Sequence, residues 1–182
     1  GRPAAPTTRL EYTPRVSPIV VRTPLKQGPG RSVHLETGPD GDVVRVVKRF
    51  HGRTPWSAWR DRTRSRREFA ALRDLTARGL PVPEPFERRR LGGVWEVSMR
   101  WLPDTVTLQS LLPSRELWPV APERLAAPLG RLLAGLHAAG LDHADLHAGN
   151  VLVAPGGEVW AIDFHSARRR RRLRAEVLLR DL

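Results

Sequence analysis

The chain has no cysteine. That excludes a disulfide framework, thiolate zinc sites and a cysteine nucleophile, and it is compatible with a reducing compartment. Long apolar runs are missing as well: none approaches the roughly 18 residues needed to cross a bilayer. The first 18 residues hold four prolines and no apolar centre, so they lack the pattern of a secretory signal. The expectation is a soluble intracellular protein that opens with a flexible arm over residues 1–17. Lysine is nearly absent: of 31 basic residues, only Lys26 and Lys48 are lysines. Against so much arginine, a lysine inside a strand points to a task for a compact charge that a planar fork does not perform.

What is present suits a folded chain. The sequence has 182 residues and is 40% hydrophobic, enough for a core in one domain or in two small parts that share a cleft. The net charge of +12 favours anionic partners: nucleic acid, acidic membrane surfaces or phosphorylated ligands. Three β-rich pieces are expected near residues 18–25, 31–36 and 42–50. They are divided by "KQGPGRS" and by "TGPDGD", where Asp40-Gly41 is a tight-turn signal. Within residues 54–79, Trp59, Arg66, Phe69, Leu72 and Leu75 recur at helical intervals. Gly79 and Pro81 end the run, so one long helix with an apolar stripe is expected. "LPVPEP" is a stiff connector, and residues 86–102 read as a hairpin turning at Gly92-Gly93.

After Pro103 the pattern turns helical. "TVTLQSLL" suggests a short helix. Leu125, Leu129, Leu132, Leu133 and Leu136 form one face of a longer one that Gly140 stops. Pro128 inside it predicts a kink or a later start. "VLVAP", the Gly156-Gly157 turn and "EVWAIDF" predict a short β-pair, and the last 18 residues read as a basic helix or tail.

The chemistry concentrates in "HADLHAGN". Asp145 and Asn150 stand five apart, and Asp163 follows thirteen later. A hairpin between the last two would bring Asn150 and Asp163 side by side. One carboxylate and one amide oxygen form a hard-ligand pair suited to Mg²⁺ bridging nucleotide phosphates. Lys48 lies near the end of the third strand, and Glu68 lies twenty residues on, inside the helix. A helix packed on the sheet would supply that glutamate as the counter-charge of a buried lysine. Gly28 and Gly30 would either admit backbone N–H groups to phosphate oxygens or simply make the hairpin.

These residues, in this order, resemble the protein-kinase-like superfamily over about residues 18–167. Within it, "RREFAALRDLTARGLPVPEPF" is similar to the lipopolysaccharide core kinases, the Kdo/heptose kinase family. "HADLHAGNVLV" is similar also to aminoglycoside and choline phosphotransferase-like kinases. The resemblance implies an α+β, two-lobed fold. A β-rich N-lobe with one long helix would span residues 18–102, and a short, mainly helical C-lobe residues 103–182. It implies ATP and Mg²⁺, with Asp145 orienting the acceptor hydroxyl and Asn150 and Asp163 holding the metal. Lys48 would bind phosphate with Glu68 as its partner, Gly28 and Gly30 would cover the phosphates, and Met99, Trp101 and their neighbours would meet adenine. The implied acceptor is a sugar hydroxyl of the lipopolysaccharide inner core, on a Kdo or heptose residue. Such a glycolipid lies at the cytoplasmic face of the bacterial inner membrane, and Arg168–Arg172 would suit an anionic surface there.

The sequence departs from the kinase pattern at His165, which takes the glycine's place in "DFG", and no "A-P-E" follows. That points away from a regulated protein kinase and toward a small or glycolipid acceptor. Two other classes compete. A metallohydrolase would use His143, Asp145 and His147 as a metal cluster, but it leaves Asn150, Asp163 and Lys48 without a task. A basic nucleic-acid-binding module would use the arginines, but no groove-reading helix or stacking-aromatic motif calls for it.

Overall fold

A computed structural model of the protein describes residues 21–52 and 54–169. The expected arm at 1–17, residues 18–20 of the first predicted strand, and the basic segment 170–182 with Arg170–Arg172 lie outside the described residues. The fold is α+β: an antiparallel sheet of five strands, one long helix and a smaller carboxy-terminal part with two short sheets.

The large sheet is ordered β1-β2-β3-β5-β4, from β1 (Val21–Gly28), β2 (Arg31–Thr37), β3 (Val43–Phe50), β4 (Pro85–Leu91) and β5 (Val94–Met99). The turn signals act as read. Gly92 and Gly93 both have positive φ, 54° and 83°, the pair of left-handed positions that a two-residue hairpin favours. In β3 the alternation of a strand divides the chemistry. Lys48 and Phe50 face the helix and the cleft, while Arg45 and Arg49 face the other way. There they meet Glu36 and Glu96, carboxylates that are 0% and 1% exposed. Arg45 donates to Glu36 at 2.6 Å, Arg22 to Glu36 at 2.7 Å, Arg49 to Glu96 at 3.0 Å and Arg89 to Glu96 at 3.1 Å. On the second face of the sheet, arginines of the sheet's own strands thus pair with these buried carboxylates.

Helix α1 (Pro55–Ala77) opens on a capping box. Thr54 Oγ1 accepts from the Ser57 N–H at 3.1 Å, and Ser57 Oγ accepts from the Thr54 N–H at 2.8 Å. Pro55 at the first helical position costs no hydrogen bond there. The helix corrects the expected stripe at two positions: Trp59 is 63% exposed, and Arg66 is exposed as well. The inward face runs Asp61, Ser65, Glu68, Leu72, Leu75, polar in its first half and apolar in its second. Asp61 accepts from the Gly52 N–H, Ser65 accepts from Arg88, and Glu68 accepts from Lys48. Hydrogen bonds to β3, to the segment just after it and to β4 therefore do there what apolar contact does further on.

The connector at 80–84 ties the two parts together, because Pro81 O accepts from the Ala161 N–H at 3.0 Å. Beyond it come β6 (Val106–Thr107), α2 (Leu108–Leu111), α3 (Ala126–Ala138), β7 (Leu141–Asp142), β8 (Val151–Val153), β9 (Val159–Ala161) and β10 (Arg168–Arg169). The predicted kink at Pro128 does not arise. Helix α3 starts at Ala126, after a 3-10 turn at Pro122–Leu125. Pro128 therefore sits in the first turn, where N–H groups lack helical partners anyway. The tail expected from His165 also differs: Phe164–Ser166 is a 3-10 turn, and β10 pairs antiparallel with β7. One core cluster runs through both parts, from Phe50, Leu72 and Val97 to Leu132, Val153 and Phe164.

Candidate active site

Three segments deliver side chains to one cleft of about 340 Å³. Strand β3 brings Lys48, α1 brings Glu68, and the loops around β8 and β9 bring Asn150 and Asp163. The expected hairpin makes the last pairing: β8 and β9 pair with Val151 opposite Ala161. The Ile162 N–H donates to Asn150 O at 3.0 Å, which holds the two loop ends together. The opposite wall is formed by Val33, Val46, Met99, Trp101, Leu102 and Leu152. The cleft therefore combines the polar and charged groups Lys48, Glu68, Asn150 and Asp163 with an apolar wall, and Lys26 and Arg100 also line it.

Lys48 is 6% exposed and donates to Glu68 Oε2 at 3.1 Å and to Asp163 Oδ1 at 2.5 Å. A buried ammonium needs such partners, since unpaired it would lose its proton or unfold its surroundings. Burial alone would raise the Asp163 carboxyl. The His165 hydrogen bond and the Lys48 charge outweigh that and hold it well below the usual carboxylate range, so it is an anion under all ordinary conditions. Its backbone sits in the left-handed region, φ 68° and ψ 60°, which aspartate tolerates at a cost of order 1 kcal/mol. Such strain is common where a side chain is aimed for function.

Asn150 is 7% exposed. Its amide nitrogen donates to the Asp145 carbonyl at 2.8 Å, which directs its oxygen away from that bond. Asp145 itself is exposed and stands outside the ring of cleft-lining residues; its carbonyl bond to Asn150 fixes the loop between them. The donor set of Asn150 and Asp163 fits a hard divalent cation, because both oxygens are hard, one is anionic, and both line the same cleft.

Gly28 and Pro29 border the space over Lys48 and Asp163, together with Arg31. Gly28 and Pro29, with Gly30 at φ 78°, also border a second space beside His51 and Gly52. Met99 and Trp101 both line the main cleft, together with Arg100 between them.

The metal cluster of His143, Asp145 and His147 does not form. His143 is 1% exposed, lies against the Phe164 ring and donates from Nε2 to the Ile162 carbonyl at 3.1 Å. Burial lowers its pKa, so the imidazole stays neutral as a brace between the two loops. His147 turns back to accept from the Gly149 N–H at 3.0 Å.

Sequence reasoning missed two residues here. Arg31 reaches from β2 to within 2.8 Å of His165 Nε2 and 3.7 Å of Asp163 Oδ2. His165, given no task from the sequence, donates from Nδ1 to Asp163. The tautomer with its proton on Nδ1 satisfies both ring nitrogens. Only the position of His165 two residues after Asp163 hinted at this contact.

A model of the lipopolysaccharide kinase (Kdo/WaaP) family matches residues 45–182, three quarters of the chain. The chain belongs to the lipopolysaccharide kinase (Kdo/WaaP) family. The matched span begins at Arg45, so it takes in Lys48, Glu68, Asp145, Asn150 and Asp163. Related proteins carry the name 3-deoxy-D-manno-octulosonic acid kinase. The one from Xanthomonas campestris pv. campestris (strain B100) is 41% identical over 110 residues, 57% of this chain and 41% of that protein. The one from Xanthomonas oryzae pv. oryzae (strain PXO99A) is 37% identical over 142 residues, 74% of this chain and 52% of that protein. The one from Xylella fastidiosa (strain M12) is 36% identical over 107 residues, 57% of this chain and 41% of that protein. The matches thus span between two fifths and about half of each relative's length.

Proposed function

We propose that the chain transfers the γ-phosphoryl group of ATP to a sugar hydroxyl of the lipopolysaccharide inner core, on a Kdo residue. The observation that carries this is the convergence of Lys48, Glu68, Asn150 and Asp163 on one cleft that also has an apolar wall. A triphosphate requires that combination: charge at the phosphates and a flat apolar slot for the base. The family membership and the names of the relatives support the phosphotransfer and the acceptor class. The five-stranded sheet with α1 would then be a kinase-like N-lobe, and the part after Pro103 a short C-lobe. The site of action would be the cytoplasm, at the inner-membrane face where such acceptors lie.

In this reading adenine lies between Val33, Val46 and Leu152, with its edge against the backbone of Met99–Leu102. Lys48 binds the phosphates, and Glu68 keeps the ammonium aimed. Gly28 and Pro29 cover the phosphates from β1, and Arg31 adds a second cation on that side. A Mg²⁺ held by Asn150 and Asp163 would offset phosphate charge when bound. Asp145 accepts the proton of the sugar hydroxyl as its oxygen bonds to phosphorus. The bond from phosphorus to the β-phosphate oxygen breaks, and ADP leaves with the electron pair. Most of the acceleration comes from positioning and fixed charge. The test is incubation with ATP, Mg²⁺ and Kdo-bearing lipid A, followed by mass spectrometry. One added phosphate per acceptor, absent without Mg²⁺, is expected. An unmodified acceptor under those conditions overturns the assignment.

A further inference from the structure

The outward face of α1 is the least explained surface of the described residues. Asp61, Ser65, Glu68, Leu72 and Leu75 mark the buried side. At 100° per residue, Trp56, Trp59, Thr63, Arg66, Arg67 and Ala70 fall on the opposite side. Trp56 is 80% exposed and Trp59 63%. Both indoles therefore stand in water, where a large apolar ring gains nothing.

The charge on this helix is as one-sided as the burial. Its carboxylates are all engaged: Asp61 and Glu68 point inward, and Asp74 is bound by Arg78 and Arg169. Among the described residues, no carboxylate pairs with Arg60, Arg62, Arg66 or Arg67. The field they make reaches the neighbouring strand, where Arg62 and Arg66, after burial, lower the pKa of Arg88. Residues 56–67 span about 17 Å of helix, with the tryptophans at one end and unneutralised guanidinium groups along the rest.

We infer that the Trp56–Arg67 face of α1 is a docking surface for an anionic phospholipid bilayer. Tryptophan settles at the level of lipid headgroups, and arginine forks pair with their phosphates. No described helix is long and apolar enough to cross a membrane. Arg169, part of the basic run expected to play this part, is already engaged by Asp74. Because Glu68 is on the opposite side of the same helix, a docked α1 would hold the cleft at a fixed attitude to the bilayer. The inference deepens the proposed function, whose acceptor is lipid-borne, but it is read without that reaction.

The test is sedimentation of the full chain with vesicles, without ATP or acceptor. Vesicles of mixed phosphatidylcholine and phosphatidylglycerol should bind, and phosphatidylcholine alone should not. W56S/W59S should weaken binding by roughly tenfold or more, and R66Q/R67Q by roughly thirtyfold. All four side chains are solvent-exposed or lie on the exposed face, so both variants should keep the parent circular dichroism and melting temperature. Absence of binding to the anionic vesicles, or binding that both variants retain, overturns the inference. So does tight binding of short DNA or RNA that depends on the same residues while vesicles stay unbound. Failure of vesicle binding leaves phosphotransfer to a soluble Kdo acceptor measurable. Failure of phosphotransfer leaves the vesicle result readable.

Discussion

Replacing Lys48 by methionine separates what the ammonium does for the fold from what it does for the reaction. The chain length is kept and the charge is removed. Asp163 retains His165 and Arg31 as partners. Glu68, 1% exposed, has Lys48 as its hydrogen-bonding cation and is left as a buried carboxylate with none. Removing one partner of a buried pair costs about 3–5 kcal/mol, a large part of the roughly 5–15 kcal/mol that holds a domain together. Urea unfolding should show a stability loss of that size, seen as a lower midpoint at constant slope. The double variant Lys48→Met/Glu68→Leu removes both charges, and apolar replacement of a whole buried pair is close to neutral or stabilising. It should regain most of the lost stability. Phosphotransfer should stay at least 100-fold down in both variants, about 2.7 kcal/mol of transition-state stabilisation. The reasoning fails if Lys48→Met unfolds like the parent, or if the double variant recovers turnover along with stability.

Other outcomes follow from the same geometry. Asp145→Asn should abolish transfer while binding Mg·ATP with nearly parental affinity, measured by calorimetry, because Asp145 contributes its carbonyl rather than its side chain to the loop. Arg31→Ala should raise the KM for ATP several-fold with little change in melting temperature, since its guanidinium is partly exposed; an unchanged KM would mean that it only bridges Asp163 and His165. Burial would raise Glu96, but Arg22 and Arg89 hold it below its ordinary value of 4.5, and Asp163 is held low as well. Below pH 4.5 the unfolded chain then binds more protons than the folded one. Stability from these groups should be complete above that pH and fall progressively as the solution is acidified, which denaturant melts across pH 3–7 would show.

Much of the site was legible because its signals are local. The Asp145, Asn150 and Asp163 spacing encodes a loop and a hairpin, and Gly156-Gly157 marks the turn between them. Lys48 stood out because arginine fills nearly every other basic position. The buried face of α1 was misread because hydrophobic periodicity detects only apolar burial. Asp61, Ser65 and Glu68 are buried through hydrogen bonds to other elements, and a tryptophan at a helical interval looks like core until its surroundings are known. The Arg31–His165 contact joins residues 134 apart, and nothing in either stretch points at the other. Glu36 and Glu96 resemble surface charges of alternating strands, because the arginines that cover them come from neighbouring strands.

The most direct measurement is a crystal structure of the chain with Mg²⁺ and a non-hydrolysable ATP analogue. Phosphate density beside Lys48, a metal between Asn150 and Asp163, and the base against Met99–Leu102 are the predicted result. A nucleotide bound elsewhere, or a cleft left open at saturating analogue, would contradict the account.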